Sequence, residues 1–384
     1  MVSPALGLPP RRLATGPPSE ELFYGSHHLM MKLSRQRDDT RPEAQRDLAR
    51  KYQSQFLADP VAVEEMFHFV HPKPEQKDEP MNSPVIEGVV PILLTPFFED
   101  GRIDEESLAS LINFNISSGV HGLGVALGSE VFKLTETERA QVIRCVVEHV
   151  RGRVPVVINS GANGTELSAH YSHMAADLGA DALMIMPPSF WPIGADEILE
   201  YYRRVSRAVD LPLILQDIPQ APIPPGLALR IADQCPNVRY IKVETLPVTV
   251  KVADMATVVE DRLVIFGGAG GGYFVEELRR GARGTMPFCS QPRQFVDVWD
   301  LFQKGDLAAA RKVFDISFTG VNRLATQGSD IFFHLHKQLL VRRGVIRTAH
   351  VRSPTVAIDP ITQSEIDELI AGIVPTSAPY PVCA

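Results

Sequence analysis

The chain has 384 residues, 45% of them hydrophobic and 22% charged, the composition of an ordinary globular protein that can hold one large domain with additions or two smaller ones. A formal net charge of -8 argues against a general nucleic-acid binder, which needs a basic surface to displace counterions, and no stretch reaches the roughly 18 to 20 apolar residues of a spanning helix. Four cysteines (Cys145, Cys235, Cys289, Cys383) stand apart without CxxC spacing, against both a disulfide framework and a zinc site. Arg11-Arg12 has no apolar core after it, so no secretory signal is read and a cytoplasmic location is the default expectation.

Residues 1 to 84 read as an N-terminal extension. The opening SPALGLPPRRLATGPPSEE, rich in proline and small residues, is expected to be disordered. Residues 43 to 70 carry the pattern of one or two short amphipathic helices, with Pro60 starting the second. HPKPEQKDEP reads as a linker, and Met81 as an alternative start. From Val85 onward short apolar runs recur: VVPILL (89 to 94), LGVAL (123 to 127), VPVVIN (154 to 159), ALMIM (182 to 186), LPLIL (211 to 215), YIKV (240 to 243), LVIF (263 to 266) and GTMPF (284 to 288). Helical periodicities such as DEESLASLINFNISSG and TETERAQVIRCVVEHV lie between them. Strand and helix alternate at intervals of roughly 20 to 35 residues, which predicts a (β/α)8 TIM barrel over 85 to 304. A doubly wound open sheet would have fewer strands and a glycine fingerprint after its first. Beyond Phe295 only helical pattern remains, in DVWDLFQKGDLAAARKVFDISF, SDIFFHLHKQLLVRRGV and QSEIDELIAGI. Residues 305 to 384 are therefore expected to form a C-terminal helical appendage and tail, packed outside the barrel or mediating oligomers.

Active-site groups of such barrels project from the C-terminal ends of the strands. Lys242 interrupts a run that should be buried on both faces, and with a period of two it shares its side with Tyr240 and Glu244. An amine taken out of water there favours its neutral form and can attack a carbonyl to give a Schiff base. The plainer reading is a structural ion pair of Lys242 with Glu244. After the second strand, Gly128 and Ser129 offer backbone N–H groups suited to a carboxylate, with Glu130 following, while Thr135 and Glu138 form a capping box. The fifth strand ends in Gln216-Asp217-Ile218-Pro219, an amide directed inward beside an acid. Phe190 and Trp191, after the fourth, would wall a pocket or cover the rim. GGAGGGY (267 to 273), with Gly268 as a candidate contact, follows the seventh strand and would hold a phosphate or a polar substrate tail. The pairs His170/His173 and His334/His336 lack a carboxylate at ligand spacing and read as surface or packing residues.

With these pieces in place, residues 86 to 345 resemble the dihydrodipicolinate synthase and N-acetylneuraminate lyase family of Schiff-base lyases, through GVVPILLTPF, VPVVINSGANGT, LPLILQDIP and YIKVE in order. The resemblance implies that Lys242 forms an imine with the keto carbon of a 2-oxo acid, with no other cofactor, and that Gly128 and Ser129 bind its carboxylate. It also implies a homo-oligomer, dimer or tetramer. The departures are informative. The family's GTTGE loop is Ala126-Leu127-Gly128-Ser129-Glu130 here, its YNxP tyrosine is Gln216, and its PYYxxP pair is Pro188-Ser189, so the tyrosine relay of the synthase and the aldolases is missing. GSE, QDxP and Lys242-Val243-Glu244-Thr245 resemble the L-2-keto-3-deoxyarabonate dehydratase branch. Retro-aldol cleavage needs a base for the C4 hydroxyl, which a neutral amide cannot be. Dehydration needs C3 deprotonated and the C4 hydroxyl protonated, for which Glu244 is the candidate, with Glu130 or Asp217 as helpers and Gln216 on a substrate hydroxyl. The expectation is a hydro-lyase acting on a small 2-keto-3-deoxy sugar acid; a pyruvate-dependent aldolase or condensing enzyme, and a non-catalytic 2-oxo acid binder, are the alternatives. Its selectivity is expected to come from loops 188 to 194 and 267 to 273.

Overall fold

The computed structural model describes residues 85 to 374, Ser329 excepted. The proline-rich opening, the helices expected in 43 to 70, Met81 and Cys383 lie outside the described residues. Eight parallel strands follow one another around a single sheet: β1 (Gly88–Val89), β2 (Leu123–Val125), β3 (Val156–Asn159), β4 (Ala182–Ile185), β5 (Leu213–Asp217), β6 (Val238–Val243), β7 (Val264–Gly267) and β8 (Gly284–Thr285). β1 pairs with β8. The ring closes just beyond β1, where Ile92 bridges to Gly124 and the Leu93 N–H donates to the Gly124 carbonyl at 2.8 Å. This is the predicted (β/α)8 barrel, with strands where the apolar runs place them.

Seven helices connect the strands: α1 (Glu105–Ser117), α2 (Glu136–Val150), α3 (Thr165–Asp177), α4 (Ala195–Ala208), α5 (Pro225–Gln234), α6 (Val248–Val259) and the short α7 (Phe274–Leu278). The start of α2 is the capping box read from the sequence: the Glu138 N–H donates to Thr135 Oγ1 at 3.3 Å, and the Thr135 N–H to Glu138 Oε2 at 2.9 Å. The strands alternate between two apolar layers. Val90, Val157, Met184, Ile214, Tyr240 and Phe266 fill the barrel, while Ile158, Leu183, Leu215, Ile241, Val243 and Ile265 pack outward on the helices. Each fully buried aliphatic side chain contributes about 1.5–3 kcal/mol, so these layers hold the strand ends, and whatever projects from them, in place.

α8 (Pro292–Gln303) completes the outer ring, and Gly305, at φ 80°, separates it from α9 (Leu307–Ala325). α10 (Ile331–Arg342) and α11 (Pro360–Ile373) follow. The appendage does not stay clear of the chemistry, as a purely external one would. The start of α10 reaches the mouth of the barrel, where Asp330, Phe332 and Phe333 line the same cavity as Lys242. The chain after α10 is tied down there: Arg352 binds Glu138 through two nitrogens and donates to the Gly101 carbonyl at 2.6 Å, and this contact holds the Glu138 carboxyl down at about 2.

Candidate active site

Lys242 stands in the last turn of pleat of β6, paired in register with Gln216 of β5 and Phe266 of β7. Register partners in parallel strands share a face, so Lys242 and Gln216 both point into the barrel. Lys242 is 5% exposed. Its Nζ lies 3.0 Å from Glu244 Oε1, and Gln216 Nε2 donates to Glu244 Oε2 at 3.1 Å. The Ala269 N–H adds a third contact, to Oε1 at 3.2 Å. One carboxylate is thus held by a cation, a neutral amide and a backbone donor. All of this opens onto a cavity of about 560 Å³ lined also by Ile92, Leu127, Gly128, Met286 and Phe288. That is the size of a small-molecule site. The arrangement can place a nucleophilic amine and a proton-accepting carboxylate on the same bound molecule.

Two acids expected to help the chemistry have other employment, and both expectations are corrected. Asp217, the residue after Gln216, points to the opposite face of β5 and is fully buried. Its carboxylate accepts from Lys251 Nζ at 2.6 Å, Thr245 Oγ1 at 2.8 Å, and the N–H groups of Ile223 at 2.8 Å and Thr245 at 3.1 Å. No acceptor is left for a substrate. Asp217 instead fixes the turn that carries Glu244, whose N–H donates to the Asp217 carbonyl at 3.0 Å. Glu130 is equally enclosed: Lys337 Nζ lies 2.5 Å from one oxygen and Lys133 Nζ 3.1 Å from the other. These contacts hold a left-handed backbone at Glu130 (φ 58°), unfavourable for a residue with a Cβ. Burial pushes the Lys337 ammonium down to about 8 against the pull of Glu130. Removing Glu130 strands two buried cations, so Glu130→Ala is expected to cost about 3–5 kcal/mol, read as a fall in the midpoint of thermal or denaturant unfolding. An unchanged midpoint would mean that water reaches both lysines.

Ser129 is also turned inward. Its hydroxyl donates to the Leu93 carbonyl and accepts from the Ala126 N–H at 3.0 Å, and its own N–H donates to the Ala126 carbonyl at 2.8 Å. Gly128 lines the cavity and Ser129 does not. Gly268 is packed on Glu244, where a Cβ would come 2.2 Å from Glu244 Cγ; the adjacent Ala269 and Gly270 form the cavity wall.

Residues 85–373 match the model of the dihydrodipicolinate synthetase family. The chain belongs to this family. It is 31% identical to a 4-hydroxy-tetrahydrodipicolinate synthase of Psychrobacter arcticus over 68% of this chain and 88% of that protein. It is 29% identical to an L-2-keto-3-deoxyarabonate dehydratase of Azospirillum brasilense over 74% of this chain and 94% of that one. The crystal structure of a dihydrodipicolinate synthase from Rhodopseudomonas palustris superposes with a TM-score of 0.69 at 26% identity, covering 74% of this chain and 97% of that one. The protein is a lyase of the dihydrodipicolinate synthetase family.

Within this family barrel, several features escaped the sequence. Phe190 and Trp191 are 83% and 75% exposed and do not reach the cavity, whose aromatic wall is Phe132, Phe288, Phe332 and Phe333. The pair Phe332-Phe333 stood in the sequence as helix, with no sign of which surface it would meet. His336 stacks on Phe288 at a ring separation of 4.0 Å and meets Ser290 Oγ at 3.0 Å; burial pushes it down to about 3. It is a neutral packing residue, as its spacing suggested. Glu277, on α7, is buried and, among the described residues, has no hydrogen-bond partner at either oxygen. Its only sequence signal was an acid on a helix face made of Phe274, Val275 and Leu278, and acids in a first helical turn are commonplace.

Proposed function

We propose that the protein is a Schiff-base-forming hydro-lyase that removes water from a small 2-keto-3-deoxy sugar acid such as 2-keto-3-deoxy-L-arabonate, with its own Lys242 as the covalent catalyst. The observation that carries this reading is the triad of Lys242, Glu244 and Gln216 in a cavity whose lining residues include no tyrosine, Tyr273 standing in the adjoining space that shares Glu244. Lys242 Nζ attacks the C2 carbonyl and water leaves, giving an iminium that acidifies C3. Glu244 takes the C3 proton, and the resulting enamine expels the C4 hydroxyl, which departs as water on receiving a proton from Glu244. Loss of a C5 proton, tautomerisation to the aldehyde and hydrolysis of the imine release 2-oxoglutarate semialdehyde and the free lysine. The net change is the loss of one water, with no oxidant or reductant. The Azospirillum relative named for this substrate supports the reading.

The condensing or aldolase alternative draws on relatives named as synthases. It needs a base for a C4 hydroxyl, and Gln216 and Leu127 supply none. Incubation with 2-keto-3-deoxy-L-arabonate, followed by borohydride and mass analysis of the Lys242 peptide, separates the two. The expected result is an adduct on Lys242 and semialdehyde in solution. Pyruvate and glycolaldehyde as products would establish cleavage instead, and the absence of any adduct, with pyruvate run alongside, would favour a binding role.

A further inference from the structure

Behind the cavity wall lies a carboxyl group that the reaction just described does not use. Glu277 projects from α7 against the outer face of β7, and Gly267 is what admits it: a Cβ there would sit 1.8 Å from Glu277 Oε2. Gly268 does the same for Glu244 on the inner side, where a Cβ would sit 2.2 Å from its Cγ. Two glycines in succession therefore make a wall one backbone thick between two carboxyl groups. Thr285, the register partner of Gly267 and so on the same outer face, is buried with its hydroxyl unpartnered. Among the described residues neither Glu277 oxygen has a hydrogen-bond partner to replace water. Burial above all, and next the charge of Glu244, push the Glu277 carboxyl up to about 8. Glu276, itself held by Arg311 of α9 at 2.7 Å, adds to this; the Gly268 N–H, short of hydrogen-bond geometry, and the Lys242 ammonium oppose it. β7 and β8 carry no ionisable side chain, and Lys251 of α6 is taken by Asp217 at 2.6 Å.

We propose that Glu277 is a positioning residue for the Lys242–Glu244 pair: held uncharged behind the Gly267–Gly268 wall, it leaves Glu244 as the one negative charge facing the amine. The inference rests on the imine reading above. Ionisation of Glu277 puts a second negative charge behind Glu244, which favours the ammonium over the free amine at the Lys242 nitrogen. Attack by the free amine slows. The alkaline limb this produces runs against the ordinary behaviour of an amine nucleophile, which speeds up as pH rises.

The test compares wild type with Glu277→Gln and Glu277→Met on either side of pH about 8, reading both the rate of borohydride-trapped pyruvate adduct and turnover of 2-keto-3-deoxy-L-arabonate. The variant-to-wild-type ratio of rates is expected to climb about three- to tenfold as pH rises through that value, one pKa unit of coupling being tenfold. Unfolding midpoints check that both variants fold, and these should gain on wild type as pH rises from about 4.5 to about 8 and no further above it, since in that window unfolding releases the proton that the buried Glu277 holds. The infrared difference between wild type and Glu277→Gln at neutral pH should contain the C=O stretch of a protonated acid. A wild-type adduct whose pH dependence is the same in both variants, or a missing acid band, overturns the inference and leaves the imine reading standing. No adduct in wild type with either 2-oxo acid removes the imine reading and the inference together.

Discussion

Lys242→Ala is expected to yield a folded protein with turnover reduced by at least about 10⁴-fold, the scale on which loss of a covalent nucleophile is felt. The fold should tolerate the change. Lys242 is 5% exposed, but its end faces the cavity, and Glu244 keeps the Gln216 amide at 3.1 Å and the Ala269 N–H at 3.2 Å. Water entering the cavity can take the place of the ammonium beside that carboxylate, which sets this pair apart from the sealed Glu130 cluster. Lys242→Arg is the sharper companion. A guanidinium retains the positive charge beside Glu244 yet stays protonated and forms no imine. Both variants should be equally inactive and give no borohydride adduct. If Lys242→Arg kept substantial turnover, the lysine would be serving as a charge, and if Lys242→Ala kept wild-type turnover, the imine mechanism would be wrong.

The barrel was legible because parallel strands covered on both faces read as apolar runs, and helices between them read as a different period. Lys242 was legible for the same reason, as a charge breaking such a run. Parity then placed Tyr240, Lys242 and Glu244 on one side, and the structure puts Tyr240 in the inner apolar layer with Lys242 and Glu244 at the cavity. What could not be read was partnership. Parity also says that Asp217 faces away from Gln216, but not that Lys251 and Thr245 wait there. Glu130 looks like an active-site acid in a loop of small residues until Lys337 arrives from 207 positions downstream. Glu277 carries the converse lesson. An acid in the first turn of a short helix gives no hint of burial, and only the two glycines of β7 and its following turn bring it against the back of the site. In each case the deciding quantity is the solvent or counter-charge around a side chain, which the chain's own local pattern does not contain.

Glu244→Gln is expected to slow dehydration by about 10²-fold or more while leaving imine formation within about tenfold of wild type, the usual reach of one general acid-base group. The amide preserves the shape of the side chain and can accept from the Ala269 N–H, which bonds Oε1 in the native protein at 3.2 Å. It cannot accept a proton from C3 or deliver one to the departing hydroxyl. The split between the two steps is what separates a proton-transfer role from a structural one. If Glu244 served only to hold Lys242 in place across their 3.0 Å contact, then trapping by borohydride and dehydration would fall by the same factor. Single-turnover measurements with 2-keto-3-deoxy-L-arabonate would show the two rates directly, and a substrate-derived adduct that has lost only the water of imine formation, its C4 hydroxyl still in place, should accumulate on Lys242 in the variant. Loss of that accumulation in favour of a dehydrated adduct would move the acid-base work to another group. Because Glu130 and Asp217 are occupied by their lysines, the replacement would be Asp330, which also lines the cavity, or the substrate or water, and Asp330→Asn in the Glu244→Gln background would separate these.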